Sequence, residues 1–341
     1  MSKILTIILT IIIGMYSTMA TNITYKKTLN IEKSTTRADL VSANGWLHTE
    51  GVKLLNEKNQ PIQLTGLSSH GIGWFGNLVT YNNLQTLKED WKTNIFRIAM
   101  YTDENGQGYV FNKQADINEV YRIADLAISL DMYVIIDWHI LQDNNPQKHK
   151  NEAIEFFDTV SKKYGKCPNV IYEICNEPNG NTSWDSDVKP YAEAVIPVIR
   201  NNSPKSLIIV GTPFWCQHID KAADNPLNFN NIVYSCHFYA GTHKQELRDK
   251  IDYCISKNIP IFVSECGATT ADGNGSIHKE DFTTWINYLN SKNISWLYWS
   301  FCNKNEGSAV LKPEYNTSLN INDYLTTSGE FVKNILANKQ L

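Results

Sequence analysis

Val170-Ile-Tyr-Glu-Ile-Cys-Asn-Glu-Pro-Asn179 is an apolar, β-type run that stops abruptly at an amide, a carboxylate and a proline. A strand that buries Ile171 and Ile174 and then presents Asn176 and Glu177 at its C-terminal end holds a titratable group over a rigid core, as a barrel enzyme requires. Taken alone, Asn-Glu-Pro reads equally well as an ordinary strand meeting a turn, since all three residues are common at strand ends. The surrounding chain separates the two readings.

From residue 45 onward, short β-type runs alternate with helical patterns. Eight candidate strands stand out: 63–68, 94–100, 133–138, 170–176, 207–211, 232–237, 261–265 and 296–300. Between them, Ala153, Phe156, Phe157, Val160 and Tyr164 fall on one helical face, as do Val188, Tyr191, Val195, Val198 and Ile199. Such faces cover a sheet. The alternation predicts a parallel sheet of βα units, and eight strands predict a closed (β/α)8 TIM barrel as a single domain, with an open doubly wound sheet as the alternative. A Gly-x-Gly-x-x-Gly at 71–76 is the one nucleotide-binding signal. Trp74 and Phe75 make poor neighbours for a pyrophosphate, and no suitable helix start follows directly.

Polar or aromatic residues close nearly every strand on the same side. Arg97 to Tyr101, Asp137-Trp-His139, Asn176-Glu177, His237-Phe-Tyr239, Ser264-Glu265 and Trp299-Ser300 would converge on the barrel face where active sites lie. Singly, each has a structural reading: Arg97 in an ion pair, His139 or His237 as a satisfied core histidine, Trp299 as packing. Together they point to a site. Two carboxylates, Glu177 and Glu265, stand at strand ends, and a carboxylate pair across a cleft is what hydrolysis of a glycosidic bond needs. One must hold a proton for the leaving oxygen while the other stays ionised, and Arg97 is the natural partner for the ionised one.

Lys3 followed by the apolar run Ile4–Ile13 and small residues up to Ala20 reads as an export signal at 1–20, too short for a comfortable membrane span. Residues 21–43 read as a flexible leader and 44–341 as the catalytic domain. The expected location is therefore secreted and extracellular, with no membrane partner after signal removal. Export permits disulfides among the seven cysteines, yet most lie in apolar stretches and suit buried thiols equally well. Seven is odd, so at least one stays free or pairs between chains. Asn181, Asn293 and Asn316 fit the N-glycosylation pattern. A formal net charge of -4 without a Lys/Arg block argues against nucleic acid as partner.

The segments Leu67-Ser-Ser-His-Gly71, Phe96-Arg97-Ile-Ala-Met-Tyr101, Tyr133 to His139, Asn169 to Gly180, His237-Phe-Tyr-Ala-Gly-Thr-His243 and Phe262-Val-Ser-Glu265 resemble family 5 of the glycoside hydrolases, and within it the bacterial-type endoglucanases of the second subfamily. The resemblance runs from about Gly51 to Leu336. It implies a retaining endo-β-1,4-glucanase acting on β-glucan, with Glu177 as acid/base and Glu265 as nucleophile, their carboxyls about 5–5.5 Å apart. Arg97 and Tyr239 would hold Glu265 by hydrogen bonds and keep it ionised, and Asn176 would contact the sugar 2-hydroxyl. His139 and His237 would line the central subsite over a floor of Trp299. His70, Trp74 and Tyr101 would lie on the non-reducing side with Lys304 and Glu306 beyond, and Trp215 on the leaving-group side. No cofactor or metal is implied, and a monomer is expected.

Two departures from the family pattern are visible: Cys266 stands where Trp usually follows the nucleophile, and Phe75 where Tyr is common. The same machinery would serve a β-mannanase or xylanase, and a catalytically weak sugar-binding barrel would keep the fold. A metal-dependent hydrolase using Asp137, His139, His237 and Glu265 is a further alternative, though it lacks a His-x-His after the first strand.

Overall fold

The structure, a computed structural model, describes residues 37–338. The expected export segment and most of the leader lie outside them. The described residues from Asp39 onward form one compact unit. It begins earlier than the expected boundary at residue 44, because Leu40 and Val41 are buried and the Val41 amide donates to the carbonyl of Asp131 at 3.2 Å. Both side chains are apolar and find cover at the closed end of the fold.

A two-stranded antiparallel hairpin, β1 (His48–Glu50) and β2 (Lys53–Leu55), precedes the barrel. Eight parallel strands follow: β3 (Thr65–Ser69), β4 (Ile95–Tyr101), β5 (Tyr133–His139), β6 (Val170–Glu173), β7 (Ile208–Val210), β8 (Ile232–Tyr239), β9 (Ile261–Gly267) and β10 (Trp296–Phe301). They close in sequence order, with β10 pairing back onto β3. This is the expected (β/α)8 barrel, and each of its eight strands overlaps one of the eight expected runs.

Each strand is followed by a helix: α1 (Tyr81–Glu89), α2 (Tyr109–Ser129), α3 (Lys150–Tyr164), α4 (Lys189–Asn202), α5 (Ile219–Asp224), α6 (Gln245–Ser256), α7 (Lys279–Ser291) and α8 (Thr327–Ala337). Helix α3 illustrates the local cause. Glu152 lies in its first turn and Lys162 and Lys163 in its last, matching the helix dipole, while Ala153, Phe156, Phe157, Val160 and Tyr164 are buried. Truncating Phe156 to Ala would remove about 3–5 kcal/mol of packing. Helices α1 and α8 start at Thr80 and Thr326, whose hydroxyls accept from the Asn83 and Gly329 amides at 3.2 and 3.0 Å.

The barrel interior has two storeys. Towards the N-terminal ends of the strands it is hydrocarbon: Ile95, Tyr133, Ile135, Ile171, Ile209, Val233, Phe262 and Leu297 pack with Val41, Leu47, Leu54 and Ile62. Two residues further along β4, β5 and β6 the inward positions become Arg97, Asp137 and Glu173, and four residues beyond Val233 on β8 comes His237, all buried. Strand β6 shows how the transition is made. Its register pairing ends at Glu173, three residues short of expectation. Beyond it the Ile174 amide still donates to Ile209, whereas the Asn176 amide donates to Trp138 on the opposite neighbour. This change of partner turns Asn176 back into the barrel.

Candidate active site

Arg97, on β4, is the hub of the upper storey. Its Nε donates to Glu173 at 2.7 Å, and its Nη1 donates to Glu265 and to Ser68 Oγ at 3.0 and 3.2 Å. Nη2 donates to Asn176 Oδ1 at 2.6 Å and lies 3.0 Å from Asp137. One fully buried guanidinium thus serves three carboxylates, which is what allows so many charges to sit away from water.

Glu265 is aimed by an irregularity in β9. On the β10 side, Trp296 pairs with Val263 and Tyr298 with Cys266, so β9 spends one residue more than its partner over this span. The neighbouring ladder with β8 shifts at the same place. In a regular strand Ser264 and Glu265 would face opposite sides. With the bulge, both face inward, Ser264 donating to Glu173 at 2.5 Å and Glu265 accepting from Arg97. Glu265 Oε1 also accepts from Tyr239 Oη at 2.8 Å. Cys266 then points outward between its register partners Phe238 and Tyr298, whose rings pack on Phe282 at 5.9 and 5.5 Å. A tryptophan at this position would point into the same aromatic cluster, and the thiol donates to Leu297 O at 3.2 Å.

Glu177 follows Asn176 at the open end. Its Oε1 lies 2.9 Å from His237 Nδ1, and His237 Nε2 lies 3.0 Å from Ser264 Oγ. Because Ser264 spends its proton on the Glu173 carboxylate, its oxygen accepts from His237 Nε2–H. That tautomer leaves Nδ1 as an acceptor for a carboxyl proton on Glu177. The histidine stays neutral because burial lowers its pKa to about 4. Glu177 is thereby prepared to carry a proton, while Glu265, facing a guanidinium and a phenol O–H, is prepared to carry charge.

Burial is the largest influence on both carboxyls and pushes each up to about 7, against the pull of Arg97. Arg97 does pull the nucleophile's pKa down, but desolvation outweighs it, and the guanidinium is shared with Asp137 and Glu173. Their ionisations belong to the pair, and the donors decide which member ionises first. Ligand-type atoms of Glu177, His237 and Glu265 lie within 4.8 Å of one another. A cation there would face the Arg97 guanidinium, and Asp137 and His139 are tied to each other at 2.6 Å instead, so the donor set does not suit the metal-dependent alternative.

These groups open onto a cleft of about 740 Å³. His70, Tyr101, His139, Glu177, Trp215, His237, Tyr239, Glu265, Trp299, Lys304 and Glu306, all anticipated, line it. Trp299 stacks near His139, at 5.4 Å and 17°, and the Trp299–Ser300 peptide is cis. Lys304 Nζ pairs with Glu306 at 2.6 Å. Phe75 keeps its ring 5.0 Å from that of His70. Trp74 lies beside the cleft, in an adjoining pocket of about 410 Å³ that shares Tyr101. Asn176 differs from expectation: it is fully buried, and its amide nitrogen lies 3.0 Å from Ile140 O and 3.2 Å from His139 Nε2, so its contacts are spent on the protein.

Phe214, Gln217, Thr242, His243, Glu246 and Asp272 also line the cleft and were not anticipated apart from Thr242 and His243, which sit in a family segment. Phe214 was detectable as the neighbour of Trp215; Gln217 and Asp272 belong to loops without periodic pattern, and Glu246 lies in the first turn of α6. All seven cysteines are free thiols. Among the described residues no helix is long and apolar enough to cross a membrane.

An (β/α)8 barrel with two buried carboxylates facing each other over an aromatic-lined cleft defines a carbohydrate-hydrolase architecture. Residues 55–305 match the model of the cellulase family, glycosyl hydrolase family 5, and the chain belongs to that family. It is 47% identical over 332 residues to an endoglucanase of Clostridium saccharobutylicum, covering 97% of this chain and 71% of that protein. To endoglucanase A of Evansella cellulosilytica it is 48% identical over 275 residues, 80% of this chain but 56% of the relative's length. Among solved structures, the catalytic domain of Thermobifida fusca endoglucanase Cel5A in complex with cellotetraose superposes with a TM-score of 0.82 at 34% identity, covering 87% of this chain and 98% of that one.

Proposed function

We propose that the protein is a retaining endo-β-1,4-glucanase that cleaves internal bonds of β-glucan by double displacement. The observation that carries this reading is the pairing of Glu177 and Glu265 with oxygens within 4.8 Å of each other and opposite hydrogen-bond surroundings. That separation leaves no room for a water between them, as an inverting mechanism requires. In the first step Glu265 attacks the anomeric carbon while Glu177 gives its proton to the departing oxygen. A glycosyl ester on Glu265 results, and the released sugar carries the proton. In the second step Glu177, now ionised, takes a proton from water whose oxygen attacks the same carbon, and Glu265 departs as carboxylate. His237 returns Glu177 to its protonated orientation, and Tyr239 and Arg97 receive the restored charge. The names of the relatives and the cellotetraose bound by the Thermobifida enzyme support glucan over mannan or xylan.

Removing each carboxylate tests the roles separately. Glu265→Ala is expected to lower hydrolysis of carboxymethylcellulose roughly 10⁴-fold or more, with azide restoring turnover to a glycosyl azide of inverted configuration. Glu177→Ala should yield the retained azide. Full activity in either variant, or the two stereochemical outcomes exchanged, overturns the assignment. The same proposal includes export: Lys3 and the apolar run Ile4–Ile13 support cleavage after Ala20, and N-terminal sequencing of protein from culture medium that still begins at Met1 would refute it.

A further inference from the structure

The loop after β7 carries a conformation rare for residues with side chains. Phe214, Trp215 and Cys216 have φ of 59, 53 and 60°, three successive left-handed residues with no glycine among them. Hydrogen bonds to both flanks of Glu177 hold this turn: the Trp215 amide donates to Pro178 O at 3.1 Å and the Cys216 thiol to Asn176 O at 2.9 Å. The Cys216 amide closes the turn on Thr212 O at 3.0 Å. The turn pushes two large rings outward. Phe214 and Trp215 keep 44% and 38% of their surface exposed, their centroids 5.2 Å apart and their planes at 70°. His218 backs Phe214 in a parallel stack at 4.8 Å, so the ring is braced.

In the ring of strands, β7 lies diametrically opposite β3. His70, after β3, and Phe214, after β7, therefore mark opposite ends of the cleft, with the two carboxylates between. Trp215, bonded beside Glu177, is the inner aromatic on the leaving-group side. Phe214, Gln217 and Glu246 continue the cleft wall beyond it.

We infer that Phe214 is the platform of a second sugar-binding subsite on the leaving-group side, taking the pyranose two places past the cleaved bond, with Gln217 and Glu246 supplying hydrogen bonds to its hydroxyls. An aromatic face against the C–H face of a pyranose, rimmed by an amide and a carboxylate, has the chemistry of a hexose site. This deepens the glucanase reading and rests on it. Its consequence is a bias towards cleavages that leave two or more sugars on the leaving side.

Cellopentaose labelled with oxygen-18 at its reducing end reports the bias directly. The ratio of labelled disaccharide to labelled monosaccharide released is read for wild type, Phe214→Asn and Phe214→Tyr. Asparagine tolerates the left-handed backbone, so it removes the ring and keeps the turn. The ratio should fall about tenfold in Phe214→Asn and return in Phe214→Tyr. An unchanged ratio in Phe214→Asn overturns the inference while leaving the glucanase reading intact; no cleavage of cellopentaose by wild type overturns that reading instead. Should Phe214→Asn fail to fold by circular dichroism, Gln217→Ala reads the same ratio, with a fall of about threefold expected, and no change there overturns the subsite.

Discussion

The two storeys of the barrel interior share strands, alternation and burial, and differ in everything else. Below, Ile135, Ile171, Ile209 and Val233 fill space by shape alone. Above, Arg97, Asp137, Glu173 and Glu265 fill it by charge. In the lower storey a lost methyl leaves a small void and its neighbours relax. In the upper storey a lost partner leaves a charge without compensation, and relaxation cannot supply one. The upper storey therefore provides a fixed electrostatic field at the cost of stability that an apolar core would give more simply.

The sharpest way to break this contrast is Arg97→Leu, which keeps bulk but strands three carboxylates. A loss of about 3–5 kcal/mol in urea unfolding is expected, growing as pH rises and the stranded groups ionise. A loss no larger than that of a lower-storey methyl would show that the guanidinium does not organise the layer. Smaller is the effect of Glu177→Gln. In the native protein burial raises the Glu177 carboxyl from 4.5 to about 7, so between those values the folded state keeps a proton that the unfolded chain has released. Stability from this group is thus complete below about 4.5 and lost as pH climbs to about 7. The variant lacks that loss and should gain about 3 kcal/mol on wild type between pH 4.5 and 8; parallel unfolding curves would contradict it. Smallest is Ile135→Val in the lower storey, about 1 kcal/mol in the same assay with activity essentially kept. A collapse of activity there would mean that the two storeys are mechanically coupled.

The lower storey was nearly all legible from the residues, because hydrophobic alternation is a periodic signal and eight repeats of it leave few alternatives. Polar residues at strand ends likewise placed Glu177, Glu265, His139, His237 and Tyr239 on one face. What escaped were departures from periodicity. The bulge in β9, the early end of β6 and the left-handed turn at Phe214 each depend on which neighbour a backbone group bonds, and a single strand's pattern carries no record of that. Asn176 was placed correctly but read as free to meet substrate, when Arg97, His139 and Ile140 already occupy its amide. The leader boundary failed for the opposite reason: Leu40 and Val41 are too few to form a pattern, yet enough to find cover.

The extra residue in β9 makes the position of Glu265 a matter of parity. Ser264 and Glu265 face the same side only because the strand counts one more residue than β10 between Val263 and Cys266. Pairing the same residues without the bulge would impose strict alternation and exchange the facing of Glu265 and Cys266. The carboxylate would then lie against Phe238 and Tyr298, and a thiol would look into the cleft. Deleting Ser264, by contrast, would restore alternation with Glu265 still facing inward, so the extra residue is what lets a hydroxyl and a carboxylate share the inner face in succession.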